Sequence, residues 1–392
     1  MIAGLLIALG IAAAQPATPR PDAAAAGVEY EVFYHHTLRN RTDRELRDVI
    51  VYLPVPQSDA CQRVEGFRIE RNTPVHISNR TDAFGTKIKR VAVASIPPKG
   101  EVEVGFSCTV RLSPPAKVNL EPAKAAAADA LDTIPRDIRD TYTRDHAVFG
   151  LGTAIIKDTG ARLLREHPNP VHRARAIHDL IASTFKYRSE DGWDPAPEVF
   201  QRREGSCSEF SYVFCALCRA TGIPTRFVGA SICPREPAAA DAPEGGPFQD
   251  KGWHRWAEAY LPGHGWVPFD PTLDRGKPAK QGFVGTHHGR TLILTRTGDK
   301  SLQLGLSYIG ANSHTGETTR ARWFTWSRGT GAELERALRP RGSGKPDEAA
   351  LRALVARWPG TRTALEASRV LRKLAHAADS PAPPQDTPDP PG

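Results

Sequence analysis

Gly205-Ser206-Cys207-Ser208-Glu209-Phe210 is the stretch of this 392-residue chain whose reading decides the fold. Ser206 and Glu209 have the S-x-x-E spacing of a capping box, in which hydroxyl and carboxylate satisfy backbone amides at a helix start. Phe210, Val213, Phe214 and Leu217 follow at i, i+3, i+4 and i+7, one face of a helix. With Ser206 as the N-cap, Cys207 is the first helical residue. There the unpaired N–H groups and the helix dipole favour an anion, so a thiol becomes more acidic and nucleophilic near neutral pH. On its own this competes with the commoner fate of a free cysteine, burial as a small apolar residue.

The partners that decide between the two lie downstream. His254-Arg255-Trp256-Ala257-Glu258-Ala259-Tyr260-Leu261 reads as a strand, Pro262-Gly263-His264-Gly265 as a turn, and Trp266-Val267-Pro268-Phe269-Asp270-Pro271-Thr272 as the returning strand. The first strand of such a hairpin starts, and the second ends, at the end away from the turn, so His254 and Asp270 lie near the same end, with the register not fixed by the sequence. A helix-N-terminal Cys, a His to take its proton and a carboxylate to hold the imidazole tautomer make a nucleophilic triad. Trp253, Trp256 and Trp266 read as core packing ahead of cleft walls, and Glu258 as a salt-bridge residue.

These blocks, with Arg219-Ala220-Thr221-Gly222-Ile223-Pro224-Thr225-Arg226-Phe227-Val228-Gly229, resemble the transglutaminase-like superfamily over roughly residues 115 to 326. The resemblance implies a papain-like α+β core with Cys207 as nucleophile, His254 as base and Asp270 as orienting acid. The segment Pro234 to Gly252, where a substrate loop would lie, is longer and richer in Ala, Pro and Gly than the family pattern. Independently of the resemblance, Gly222 and Pro224 form a helix stop. Thr225 to Ile232 then reads as a buried strand, which gives the helix-then-sheet order.

The rest of the chain falls into pieces around this core. Residues 1–14 read as a signal peptide with a short apolar run but no preceding Lys or Arg, and 15–26 as a Pro/Ala linker. Residues 27–113 carry short alternating strands separated by polar turns, a β-sandwich similar to the β-domain that often precedes such cores. The transglutaminase-like catalytic core takes residues 114–326. Within it, Pro170 to Ile181 reads as a helix packed on the nucleophile helix, and Thr291-Leu292-Ile293-Leu294 as a strand finishing the sheet. His172 and His178, six apart, read as ordinary surface or core residues. Residues 327–376 form a helical hairpin tail that must dock on the core or on a partner, and 377–392 a Pro-rich disordered end.

Six cysteines suit an oxidising compartment. Cys61 and Cys108, both in the β-rich segment, are expected to form a disulfide. Cys215 and Cys218 form a C-x-x-C, but mid-helix, away from the N-terminus that redox motifs need. Neither they nor Cys233, His287 and His288 have the company of a zinc site. The net charge of +8 is spread along the chain without a nucleic-acid-binding motif, so it reads as a solvated basic surface. No segment is long and apolar enough to span a membrane.

The sequence thus predicts a secreted or periplasmic thiol-dependent enzyme acting on protein or peptide amides through an acyl-enzyme, with no cofactor and no metal. Water is the expected acceptor, which makes it a protease or amidase. The sequence has no acidic cluster resembling a calcium site, whereas the superfamily's animal cross-linking members depend on calcium. The rivals are a protein-glutamine transamidase and a non-enzymatic structural or binding protein of the same fold.

Overall fold

The computed structural model describes residues 28–120, 128–188, 193–233, 248–250, 252–277, 281–299, 314, 316–327, 334, 337–338, 345–357 and 362–379. The signal peptide, the linker, most of the Pro234–Gly252 segment and all but the start of the Pro-rich end lie outside them.

Strands β1 (Val28–Asn40), β2 (Leu46–Pro54), β3 (Gln62–Arg71), β4 (Val75–Thr81), β5 (Lys87–Ile96) and β6 (Glu101–Leu112) come first. They alternate buried and exposed positions as half-buried strands must: Val49, Val51 and Leu53 of β2 and Val91 and Val93 of β5 are fully buried. β2, β5 and β4 make a three-stranded sheet. β6, β1 and β3 belong to a five-stranded one, and both sheets share one apolar cluster. This is a sandwich. Its tightest approach is at Gly105, where a Cβ would sit 1.8 Å from the Tyr34 carbonyl oxygen.

The five-stranded sheet is finished from elsewhere. β14 (Thr318–Ser327) pairs antiparallel with β1, Glu31 opposite Ser327 and Asn40 opposite Thr318. β10 (Phe248–Asp250) adds to β14 at the edge. The chain therefore leaves the sandwich, builds the core, and returns to put a strand beside its first one, although the sequence reading carries the core through to residue 326.

The core starts with helices α1 (Arg136–Tyr142), α2 (Ala154–Glu166), α3 (Pro170–Thr184) and α4 (Ala196–Arg202), and short strands β7 (Lys186–Tyr187) and β8 (Glu204–Gly205). Asn169 caps α3, its side-chain oxygen accepting from the Val171 and His172 amides. Then comes α5 (Cys207–Ala220), followed by β9 (Thr225–Ile232), β11 (Trp253–Leu261), β12 (Gly265–Phe269) and β13 (Thr291–Thr297). The last four form an antiparallel sheet in the order β12-β11-β9-β13. α5 ends as the sequence predicts. Gly222 takes φ +81, and the amides of Gly222 and Ile223 reach back to the carbonyls of Arg219 and Cys218.

One expectation needs widening. The apolar stripe predicts one buried face for α5, yet every residue from Cys207 to Arg219 is buried. The helix is sheathed by α2, α3 and α4 on one side and by β9 and β11 on the other, so it is central rather than amphipathic. Arg219 can join this interior because its guanidinium donates to Thr225 Oγ1 at 3.0 Å, Thr225 O at 2.6 Å and Arg144 O at 2.7 Å.

Sandwich and core sheet are clasped along β13. The Gln62 side chain donates to Ile293 O at 3.0 Å and accepts from Ile293 N at 2.7 Å, acting as one more residue of strand. Asp59 pairs with Arg296 at 2.5 Å. Arg296 approaches Glu258 at 3.6 Å, and Glu258 takes Arg226 at 2.6 Å. Glu258 thus holds the salt-bridge role read from the sequence. Of the tail helices α6 (Glu348–Arg357) and α7 (Arg362–Asp379), which pack on each other, α7 lies against the sandwich: Thr363 donates to Glu31 at 2.6 Å and Arg68 to Glu366 at 2.9 Å.

The expected Cys61–Cys108 disulfide is not formed. Register is the reason. The Cys61 carbonyl accepts from Ser113 N, so Cys61 lies level with a residue five positions beyond Cys108. Five strand residues span roughly 17 Å, where a disulfide needs Cα atoms within about 7 Å. Burial and the neighbouring Asp59 charge push the Cys61 thiol up to about 12. Peptide mapping without reductant is expected to recover Cys61 and Cys108 on peptides not linked to each other, even after passage through an oxidising compartment. A linked pair would contradict this register.

Candidate active site

Cys207 is the first residue of α5, preceded by Ser206 in extended conformation at φ −84, ψ 176. Of the two reciprocal capping-box bonds, the well-formed one runs from Ser206 N–H to Glu209 Oε2 at 2.7 Å. The Ser206 hydroxyl lies near the Glu209 amide without a well-aligned bond. The other oxygen of Glu209 accepts from Arg202 at 2.5 Å and from Asp194 N at 3.3 Å. One buried carboxylate thereby fixes both the start of the helix and the loop ahead of it.

His254 is the second residue of β11, and Asp270 follows directly on β12. The pairing of Ala257 with Phe269 brings the two to the same end of the hairpin. His254 Nε2 and Asp270 Oδ2 are 2.5 Å apart. The other Asp270 oxygen accepts from the Thr272 and Leu273 amides at 3.1 and 3.2 Å. With Nε2 committed to the carboxylate, the hydrogen bond between His254 and the Cys207 sulfur falls to Nδ1. All three predicted residues are thus brought together, and they are nearly sealed, with exposures of 8% for Cys207, 6% for His254 and 1% for Asp270.

The electrostatics favour an ion pair. Burial raises the Cys207 thiol, but the hydrogen bond and charge of His254 and the Arg255 backbone N–H outweigh it and leave the thiol below its ordinary value. Burial likewise opposes a charged His254. The Asp270 charge, its hydrogen bond, and the bond and charge of Cys207 prevail, raising His254 to about 10. Thiolate and imidazolium stabilise each other, as one coupled unit. Cys215 and Cys218 behave oppositely, since burial lifts both thiols. They are inert core, as the mid-helix position of the C-x-x-C implies.

Around the three sit residues to which the sequence reading assigns no catalytic role. Trp256 stacks on His254 at 6.1 Å between centroids, and His287 stacks on Trp256 at 5.0 Å. Burial holds His287 below the ordinary imidazole value. Trp256 is core, and Trp253 packs on Tyr34 and Phe324 of the sandwich. His178 is fully buried beside Asp274. A signal for it existed, because His178 falls on the Ala174, Ile177 and Ile181 face of α3, a polar residue inside an apolar stripe. Among the described residues no three His, Cys, Asp or Glu side chains converge on a metal-sized site.

The model of the transglutaminase-like superfamily core matches residues 157–271, from α2 through the residue after Asp270. This segment of the chain thus has the core of the transglutaminase-like superfamily, as the sequence resemblance implies. It is 28% identical over 135 residues to the uncharacterized protein YebA of Bacillus subtilis, covering 32% of this chain and 18% of that one. An uncharacterized protein of Haemophilus influenzae is 25% identical over 240 residues, 56% of this chain and 62% of its own. The chain therefore spans less than two thirds of either relative. The solved structure of a candidate cysteine protease from Cytophaga hutchinsonii superposes with a TM-score of 0.55 at 15% identity, covering 76% of this chain and 89% of that one. This last likeness is one of fold.

Proposed function

We propose that the chain is an exported thiol hydrolase of protein or peptide amides, in which Cys207, His254 and Asp270 act as nucleophile, acid–base and orienting group. The observation that carries the reading is the buried, hydrogen-bonded array of the three at the N-terminus of α5. The Cys207 thiolate attacks the amide carbonyl carbon, forming the S–C bond. The His254 imidazolium gives its proton to the departing amine as the C–N bond breaks. Water then attacks the thioester carbonyl while His254 takes its proton, and the acid leaves as the thiolate is restored. The Cys207 backbone N–H, at the positive end of α5, is one oxyanion donor. Export rests on the apolar stretch within residues 1–14; among the described residues no helix is long and apolar enough to cross a membrane. The sandwich and the tail helices serve as positioning modules around the core.

The test offers peptide amides together with an excess of a labelled primary amine, in a chelator, and follows both products. Free acid is expected to dominate, with turnover unaffected by the chelator. Dominant amine incorporation would make the protein a transamidase with the same three residues. Absence of any acyl-enzyme on Cys207 would leave a structural or binding protein.

A further inference from the structure

A second imidazole–carboxylate pair lies behind Asp270. His178 of α3 has no exposed surface. Its Nδ1 is 3.0 Å from Asp179 Oδ1, and its Nε2 is 3.2 Å from Asp274 Oδ2. The second contact is an ion pair rather than a well-aligned hydrogen bond. The ring packs on Phe269, the residue before Asp270, at 6.3 Å between centroids.

Asp274 in turn organises the chain that carries Asp270. Its two oxygens accept from Gly282 N and Phe283 N, each at 2.9 Å. The Phe283 carbonyl accepts from Asp270 N at 3.1 Å, and Asp274 N reaches back to Asp270 O at 3.4 Å. α3 holds the same segment at two more points, Gly276 N to Ala182 O at 3.0 Å and Gln281 Nε2 to Asp179 Oδ2 at 2.8 Å. The path from His178 to the Asp270 backbone is therefore continuous: imidazole, Asp274 carboxylate, Phe283 peptide, Asp270 amide. An apolar side chain at 178 would pack on Phe269 without the desolvation that a buried ion pair costs.

We propose that His178 is a positioning residue, which through Asp274 holds residues 270–277 and 281–284 so that the Asp270 carboxylate stays aimed at His254. This rests on the Cys207–His254–Asp270 reading above. Burial disfavours a charge on His178, but its hydrogen bond to Asp179, its close contact with Asp274 and the charges of both outweigh it, holding the ring above its ordinary 6.5. Those two carboxylates, one on its own helix and one on the facing loop, are the charged groups that act on it. Its anchoring is complete below the ordinary imidazole value and is lost as pH rises through the raised one.

The test uses the full chain with His178→Gln and, separately, Asp274→Asn, which keeps the shape and serves alone if the first does not fold. Two quantities are followed against pH: the rate at which iodoacetamide alkylates Cys207, and hydrogen exchange at the Thr272, Leu273 and Phe283 amides. Both variants are expected to alkylate about tenfold more slowly, the scale of a small misplacement in a site. Exchange at the three amides should be faster, and the alkaline step due to His178 should vanish from the His178→Gln profile. A merely structural role would lower stability without moving that profile. Fast wild-type alkylation with unchanged variant rates and profiles would overturn the positioning role and leave the triad reading intact. A slow wild-type Cys207 would instead overturn the triad reading. In that event unchanged exchange at the three amides would still defeat the anchoring, and faster exchange would support it.

Discussion

Replacing Cys207 with Ala is expected to abolish turnover, and Asp270→Asn to lower it by about four orders of magnitude, the scale seen when an orienting acid is neutralised. The reason is mutual dependence. The thiol is held below its ordinary value by His254, and His254 is raised by the Asp270 charge and hydrogen bond. Removing the carboxylate removes what keeps the imidazole protonated and aimed. Iodoacetamide should therefore label Cys207 much faster than Cys215 or Cys218, whose thiols burial pushes up, and His254→Ala should erase the difference. Labelling is expected to slow in acid as the Cys207 thiolate gains a proton. Equal labelling of all three cysteines in the wild type, or full turnover by the Cys207→Ala protein, would show that the array is inert.

A large loss of stability is expected at Glu258→Ala, about 3 kcal/mol, because it strands the mostly buried Arg226 guanidinium and weakens the hold on Arg296. Glu258 is 4% exposed and answers Arg226 at 2.6 Å and Arg296 at 3.6 Å. Burial opposes its charge, but the two guanidinium groups hold its carboxyl below the ordinary value. A depressed carboxyl stabilises the fold above its unfolded value and loses that contribution as pH falls through the folded one. Glu258→Ala should therefore lie far below wild type in urea at neutral pH, and the gap should narrow in acid. Replacing Arg226 by Met and Glu258 by Leu together should recover part of the loss, since a well-packed apolar pair can substitute for a buried ion pair. A single substitution that left the urea midpoint in place would mean that the charges are solvated.

The core was legible because its signals are local. The S-x-x-E spacing places Cys207 at a helix start, the hairpin around Gly263 places His254 and Asp270 at its open end, and the Gly222–Pro224 stop ends α5, all where backbone rules apply. What escaped depends on distant pairing. β14 follows the core in sequence, and nothing local announces that its partner is β1. The Cys61–Cys108 expectation failed because a strand's register is set by its neighbour rather than by residue spacing. α5 showed one apolar stripe, while the burial of Tyr212 and Arg219 depends on Phe149, β9 and β11 arriving around them. His178 was visible as an odd polar residue in a stripe, but its partner Asp274 lies nearly a hundred residues away.

The place of β14 also sets an order of events during biosynthesis. β1 lies between β6 and β14, so one flank of it stays unpaired until residue 327 has left the ribosome. Throughout that interval the nascent chain presents an open strand edge, a template for association with other chains. Helix α5 and its sheet are synthesised within that interval, so the sandwich closes last although it begins first. A chaperone that shields β1 would therefore act on a chain in which Cys207, His254 and Asp270 are already synthesised. Truncation before residue 318 would remove β1's closing strand while leaving Cys207, His254 and Asp270 in the polypeptide.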